Sequence, residues 1–270
     1  MVGYAIYGGD PPSMEFRREW AGRGAAIGAQ MFAEAIQAAL SKTDDPVGKR
    51  MLSIGASSAS KEACLAKHGV WVTASDIDER KMREVANNPE NKKLKQLLFV
   101  VASADALPFA DKSFDYTFSC SVLQYVDHVP VISECARVLK DSGCSLFIEN
   151  MALNPFVLPY RLLRILFEGS PRKFWEIKEH LRFAHLSEFQ QYYGSVLHEE
   201  QFLFSSLALA GEVMFRRRWQ KFKRWQKVFQ LLEVIDRHVL KVFPFLKRFC
   251  WLIALTCWKN GGYEPVGYSL

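Results

Sequence analysis

The sequence lacks most features that would indicate a secreted, zinc-binding or membrane-spanning protein. Its six cysteines include no Cys-x-x-Cys pair, and no clustered Cys/His metal set appears, which excludes a disulfide scaffold and zinc-ligand spacing. No cationic segment followed by an apolar one opens the chain, and the longest apolar stretch, near residues 243–258, is interrupted by proline, lysine and arginine. We therefore expect a cytoplasmic protein without a membrane span or a bound metal.

The composition is that of a folded protein with an uneven charge distribution. Hydrophobic residues make up 49% and charged residues 24% of the 270 residues, which excludes disorder. Residues 1–151 hold 17 basic and 19 acidic side chains, whereas residues 152–270 hold 18 and 10. A run of seven basic residues at 216–227 lies in a predicted amphipathic helix over 211–242. The run indicates either a solvated face of the helix or an anionic partner. A peripheral contact with a membrane and a homodimer are both compatible with the sequence.

The hydrophobic pattern predicts an α/β fold. A helical pattern over residues 15–40 precedes short apolar runs at 51–56, 70–75, 97–102, 114–119 and 144–149, which alternate with helical segments. Runs that are apolar on both faces are typical of buried parallel strands joined by βαβ crossovers. The sequence therefore predicts a doubly wound parallel sheet.

The ends of these predicted strands carry the candidate ligand-binding residues. Gly55 and the small residues after it permit a tight turn close to a ligand, and Asp76 follows 21 residues later. That spacing suits a Gly-rich turn and a carboxylate that hold one nucleoside, with Asp76 accepting from the ribose hydroxyls. Asp105 follows the third strand, where it can accept from an adenine amine, and Ser119 ends the fourth.

The stretch from about Lys49 to Glu149 resembles the class I S-adenosylmethionine-dependent methyltransferases, especially the type 11 subgroup with an LPF signature. The resemblance rests on MLSIGASSASKEACLAKHGVWVTASDID, ASADALPFADKSFDYTFSCSVLQYVDH and VISECARVLKDSGCSLFIEN. It implies a seven-stranded sheet of order 3-2-1-4-5-7-6 with an antiparallel seventh strand, VLHEEQFLFS and CWLIALTCWK being strands six and seven. It also implies S-adenosylmethionine as the cofactor, with binding positions at Gly55, Ala56, Ser57, Asp76, Ile77, Asp105, Ala106 and Ser119.

The loop departs from the family pattern, acidic-x-Gly-x-Gly-x-Gly. Ser53 stands at the acidic position, and Ser57 and Ala59 stand where the second and third glycines are usual. The same loop has one of the three glycines of the dinucleotide motif G-x-G-x-x-G, which disfavours a dehydrogenase. No P-loop, Gly-x-Ser-x-Gly or HExxH motif appears, which disfavours nucleotide triphosphatase, hydrolase and zinc chemistry.

The resemblance divides the chain into an N-terminal helical cap (1–48), a cofactor-binding core (49–151) and a helical lid or substrate insertion with strands six and seven (152–270). Aromatic residues in the insertion indicate an apolar or ring-bearing small-molecule acceptor. The resemblance to small-molecule methyltransferases implies that this acceptor is a natural product, sugar or lipid, and we expect O-methylation. The preferred base is His180, with Tyr125, His128 and His185 behind it, and Glu149 and Asn150 are expected at the rim of the site.

Two alternatives remain open. One is a protein of the same fold that binds the cofactor without methylating, or that catalyses a different reaction. The other is a nucleic-acid or membrane-surface module that uses the basic run. Because no recognition motif accompanies that run, we predict that it does not bind nucleic acid sequence-specifically.

Overall fold

A single mixed sheet organises the molecule. A computed structural model describes residues 27–159, 180–208 and 223–260. Its seven strands lie in the order β3-β2-β1-β4-β5-β7-β6. They are β1 (Arg50–Ile54), β2 (Trp71–Asp76), β3 (Leu97–Val101), β4 (Phe114–Cys120), β5 (Leu139–Asn150), β6 (Ser195–Gln201) and β7 (Leu252–Trp258).

The strand directions confirm the predicted topology. β1 to β5 pair in parallel, and β7 runs antiparallel to both β5 and β6. The carboxyl ends of β1 to β5 therefore meet at one edge of the sheet, which we call the carboxyl edge. In open parallel sheets, this is the edge where ligands bind.

Two strands have an end that lies four or more residues from the end of their predicted run. β5 begins five residues before Cys144, because Leu139 already pairs with Phe114 across a register shift. This first part carries exposed polar residues, which hid it from the hydrophobic pattern. β6 ends at Gln201 rather than near Ser205, because Phe202 adopts a left-handed φ of 68° that turns the chain away.

Helices cover both faces of the sheet. They are α1 (Ile27–Leu40), α2 (Ser60–Lys67), α3 (Glu79–Asn87), α4 (Pro89–Lys92), α5 (His128–Val138), α6 (Leu186–Gln190) and α7 (Lys223–Val242). α1 and α2 share one buried core with the sheet, and α5 and α6 share the other. On the α1 face, the rings of Phe32 and Trp251 pack edge to face at 5.4 Å, and on the α5 face Phe147 and Phe189 do so at 5.1 Å. The predicted doubly wound architecture is confirmed.

Parts of the predicted helices lie outside the described residues. The predicted helix over 15–40 is described from Ile27, and the one over 211–242 from Lys223. Most of the basic run at 216–227 and residues 160–179 of the insertion also lie outside. Within α7, Phe229 is buried, and Asp236 accepts hydrogen bonds from the backbone N–H groups of Phe204 and Ser205. Among the described helices, none combines the length and apolar character needed to cross a bilayer.

Candidate functional site

The loop after β1 keeps the backbone of a glycine-rich loop although it contains one glycine. Gly55, Ser57 and Ala59 have φ values of 62°, 50° and 52°. These are the three positions at which the family pattern has glycine. The left-handed region is costly for residues with a Cβ, by roughly 1–2 kcal/mol each. Ser57 and Ala59 therefore adopt the conformation that glycine would take without strain.

Asp76 at the end of β2 holds this loop in place. Its Oδ2 accepts a hydrogen bond from the backbone N–H of Ser57 at 2.9 Å, and its Oδ1 accepts one from the N–H of Asp78 at 2.9 Å. Asp78 in turn caps α3 by accepting from the N–H of Lys81. Each carboxylate oxygen can accept a second hydrogen bond. Asp76 is thus oriented by backbone and able to accept two further donors at the carboxyl edge.

Gly55 lies against the turn that follows β4. A Cβ at this position would lie 2.4 Å from Val122 Cγ2, so any residue other than glycine would require Val122 to shift. The side chain of the next residue, Ala56, is buried, and its N–H donates to the carbonyl oxygen of Ser75 at 2.9 Å. The loop is therefore packed between the ends of β2 and β4.

Glu149 supports that same turn from beneath. Its buried carboxylate accepts hydrogen bonds from Ser119 Oγ at 2.9 Å and from the N–H groups of Val122 and Leu123 at 3.2 and 3.3 Å. Burial raises the pKa of Glu149 to about 7, against the opposing effect of these three donors. The expectation that Glu149 lies at the rim is wrong, since it is 1% exposed. Ser119 is also 1% exposed, so its side chain lies beneath the edge instead of facing a ligand there.

The neighbouring Asn150 links β5 to the turn after β4. Its Nδ2 donates to Ser121 Oγ at 2.9 Å and to Gln124 Oε1 at 3.4 Å. Its backbone oxygen accepts from the N–H of Leu181 at 3.2 Å. Asn150 therefore ties the segment that returns at residue 180 to the carboxyl edge.

The loops after β2 and β3 present three of the predicted cofactor positions to solvent. Asp105 accepts a hydrogen bond from Ser103 Oγ, and the N–H of Ala106 donates to the carbonyl oxygen of Ser103 at 3.2 Å. Both Asp105 and Ala106 are exposed, and Ile77 at the end of β2 is 73% exposed. An apolar side chain this exposed, beside two carboxylates at the carboxyl edge, suits contact with a flat ligand.

A buried carboxylate compensates for the serine at the family's acidic position. Ser53 Oγ donates to Glu62 Oε1 at 2.7 Å, and Glu62, from the first turn of α2, is fully buried. Its Oε2 has no hydrogen-bond partner among the described residues. The sequence interpretation missed Glu62, although an acidic residue one helical turn after the loop was a usable signal.

The candidate bases have very different surroundings. His180 is 5% exposed and Tyr125 is 64% exposed, whereas His185 is half-buried. The rings of His185 and His128 lie edge to face with centroids 4.8 Å apart, and His128 Nδ1 lies 3.4 Å from Glu188 Oε2. The structure therefore brings together two of the predicted histidines with Glu188, which the sequence interpretation did not single out.

A cavity of about 340 Å³ opens next to the segment that leads to His185. It is lined by residues that follow β5, by residues 181–184, and by part of the 3₁₀ segment Pro244–Phe249. Leu153, Phe183 and Phe245 contribute apolar surface, and Arg182 and Arg248 contribute guanidinium groups. Its volume is at the small end of the range usual for ligand pockets, roughly 300–1,000 Å³.

Cys120 and Cys135 do not act as nucleophiles. Burial raises the pKa of both thiols to about 12. A thiol with so high a pKa is protonated near neutral pH, so these two side chains act as small apolar groups in the core.

The chain is similar to known methyltransferases over its first five strands. Residues 52–147 match a family model described as "Methyltransferase domain". A demethylmenaquinone methyltransferase from Tropheryma whipplei (strain Twist) is 33% identical over 117 residues, or 43% of this chain and 48% of that protein. The biotin biosynthesis bifunctional protein BioHC from Cellvibrio japonicus is 36% identical over 124 residues, 46% of this chain and 22% of that protein. The chain thus spans about half or less of the length of these relatives.

A solved structure extends the similarity to the whole sheet. The phosphoethanolamine N-methyltransferase 2 of Haemonchus contortus, in complex with phosphomonomethylethanolamine and S-adenosylhomocysteine, matches with a TM-score of 0.58 at 16% identity. The match covers 90% of this chain and 56% of that one. At this identity, the likeness shows a shared fold.

Proposed function

We propose that the protein transfers the methyl group of S-adenosylmethionine to a small-molecule acceptor, since residues 52–147 match a methyltransferase domain model and lie in a sheet of order 3-2-1-4-5-7-6. The observation that carries the proposal is the left-handed loop at Gly55, Ser57 and Ala59, tied to the Asp76 carboxylate. The matched demethylmenaquinone and phosphoethanolamine methyltransferases are named for small-molecule substrates, which supports the acceptor class.

The residues at the carboxyl edge fit this cofactor. Gly55 has no Cβ, so the loop packs against Val122 and its backbone stays at the carboxyl edge, where the methionine part would bind. Asp76 has acceptor capacity for the two ribose hydroxyls, and Asp105 for the adenine amine. Ile77 offers an apolar surface to the adenine ring. When bound, the cofactor supplies an activated methyl group on a sulfonium.

The acceptor would bind in the cavity lined by Leu153, Phe183 and Phe245. Its apolar walls suit an aliphatic or ring-bearing molecule, and Arg182 and Arg248 favour one that also carries an anionic group. We assign this role to the insertion at 152–270, with 1–48 as a helical cap and 49–151 as the cofactor-binding core. A location in the cytoplasm, contact with a membrane surface and a homodimer stay predictions.

The proposed reaction is O-methylation. The acceptor hydroxyl gives up its proton, its oxygen forms a bond to the methyl carbon, and the carbon–sulfur bond breaks with its electron pair remaining on sulfur. The products are a methyl ether, S-adenosylhomocysteine and one proton. Of the predicted bases we favour His185, because it is half-buried and directly follows Ala184, which lines the cavity, whereas His180 is nearly inaccessible and Tyr125 is largely in solvent.

Calorimetry with S-adenosylmethionine and S-adenosylhomocysteine tests the cofactor assignment without knowledge of the acceptor. The whole protein should bind both, each at one site per chain. Incubation with labelled S-adenosylmethionine and a panel of quinols, phenols, sugars and anionic lipids should then release S-adenosylhomocysteine only with a matching acceptor. Binding without turnover across the panel would favour a protein that does not methylate, and absence of binding would exclude the proposed function.

A further inference from the structure

Two segments that are distant in the sequence bring three potential metal ligands together on the α5 face of the sheet. His128 is the first residue of α5, His185 directly precedes α6, and Glu188 lies in the first turn of α6. One ligand atom from each lies within 4.8 Å of the other two. We propose that His128, His185 and Glu188 bind a divalent transition metal ion of the Zn²⁺ type.

The distances suit a metal ion after a small side-chain adjustment. Tetrahedral ligands with metal bonds of about 2.0–2.1 Å lie about 3.4 Å from one another. His128 Nδ1 and Glu188 Oε2 are already separated by 3.4 Å. The remaining separations are at most 4.8 Å, so an adjustment of no more than about 1.4 Å brings all three ligand atoms to this spacing.

The contact between His128 and Glu188 is not an ordinary hydrogen bond. Glu188 Oε2 is shielded from solvent and accepts no hydrogen bond from any described residue, although His128 Nδ1 lies 3.4 Å away. A buried carboxylate oxygen without a donor is costly. A cation placed between the imidazoles and this oxygen removes that cost.

The donor set favours zinc-type ions over magnesium or calcium. Imidazole nitrogen suits Zn²⁺, Fe²⁺ and similar ions, whereas Mg²⁺ and Ca²⁺ prefer oxygen alone. Two histidines and one glutamate also leave a fourth position open, as in catalytic zinc sites. If the proposed function holds, His185 acts as a ligand of the ion and not as a free base, and the ion would lower the pKa of a hydroxyl acceptor bound at the fourth position.

The sequence concealed this site because its ligands are distant. His185 and Glu188 are spaced i, i+3 in the segment HLSE, but His128 lies 57 residues earlier. No local Cys/His cluster therefore marked it, and the sequence predicted no metal. The pairing of α5 with α6 over the sheet supplies the third ligand.

Titration of the metal-free whole protein with Co²⁺, followed by displacement with Zn²⁺, tests the proposal independently of methyl transfer. One equivalent should bind, with the visible absorption of a four- or five-coordinate cobalt site. His128→Ala, His185→Ala and Glu188→Gln should each weaken Zn²⁺ binding by at least about 100-fold, because each removes a direct ligand and loss of an outer-shell partner alone costs about 10–100-fold. His238→Ala is the matched control, since His238 is an exposed histidine on α7 whose Nδ1 contacts the Val234 carbonyl.

Thermal unfolding without metal checks that each variant is folded, and Glu188→Asp, which keeps the carboxylate, should retain part of the affinity. Absence of saturable binding by the wild-type protein, or equal affinity in the three variants and the His238 control, would overturn the proposal. In that case, the cluster would be an ion pair only. Binding of S-adenosylmethionine is measured separately, so failure of the metal site and failure of the proposed function are distinguishable.

Discussion

The backbone N–H of Ser57 donates to Asp76 Oδ2 over 2.9 Å, so the loop after β1 and the end of β2 form one unit. The carboxylate is thereby oriented before any ligand binds. A preorganised carboxylate loses less conformational freedom when it accepts ligand hydroxyls, which favours affinity. The same hydrogen bond also stabilises the left-handed backbone at Ser57.

Asp76→Ala should weaken binding of S-adenosylmethionine by about 1.5–3 kcal/mol, because hydrogen bonds to a charged acceptor are lost. Calorimetry on the folded variant measures this change. Asp141→Ala is the matched control, since Asp141 is an exposed carboxylate paired with Lys112. Equal affinity in wild type and the Asp76 variant would remove Asp76 from the site.

Ser57→Gly should stabilise the protein by about 0.5–1 kcal/mol, because glycine adopts the φ of 50° without strain. Urea unfolding measures the difference. The neighbouring Ser58 is also exposed but has no left-handed φ, so Ser58→Gly should be neutral or destabilising. If both variants shifted stability equally, the strain at Ser57 would not be the cause.

Gly55→Ala should destabilise the protein more than Gly48→Ala. Both glycines have positive φ values, 62° and 75°, but only a Cβ at Gly55 would meet Val122, at 2.4 Å. Gly48→Ala therefore measures the backbone strain alone, at roughly 1 kcal/mol. Adding Val122→Ala to Gly55→Ala should recover the part due to the clash, and failure of this rescue would show that the clash is relieved in another way.

Glu149 should make stability depend on pH between about 4.5 and 7. Its pKa is higher in the folded protein than in the unfolded chain, so the folded state holds the extra proton in this window. The free energy of unfolding should therefore fall as pH rises, by up to about 3 kcal/mol for this group. Unfolding of wild type and Glu149→Gln at pH values from 4.5 to 8 measures the difference, and parallel curves would contradict the raised pKa.

The sequence alone determined the parallel strands and predicted three residues of the candidate site. Buried parallel strands appear in a sequence as short apolar runs, and their carboxyl ends share one edge of the sheet. Gly55, Asp76 and Asp105, which follow three of these runs, are therefore predicted to lie at the same edge. The five parallel strands, and β7 within its apolar run, follow from the same local signal.

Only the tertiary structure decided which side chains surround these three residues. Glu62 reaches Ser53 from α2, Glu149 lies beneath the turn after β4, and His128 meets His185 and Glu188 where α5 packs near α6. Each of these contacts joins residues whose separation in sequence carries no periodic signal. Local pattern fixes which residues lie on a buried face, whereas packing decides which polar side chains meet, because that depends on how whole elements dock.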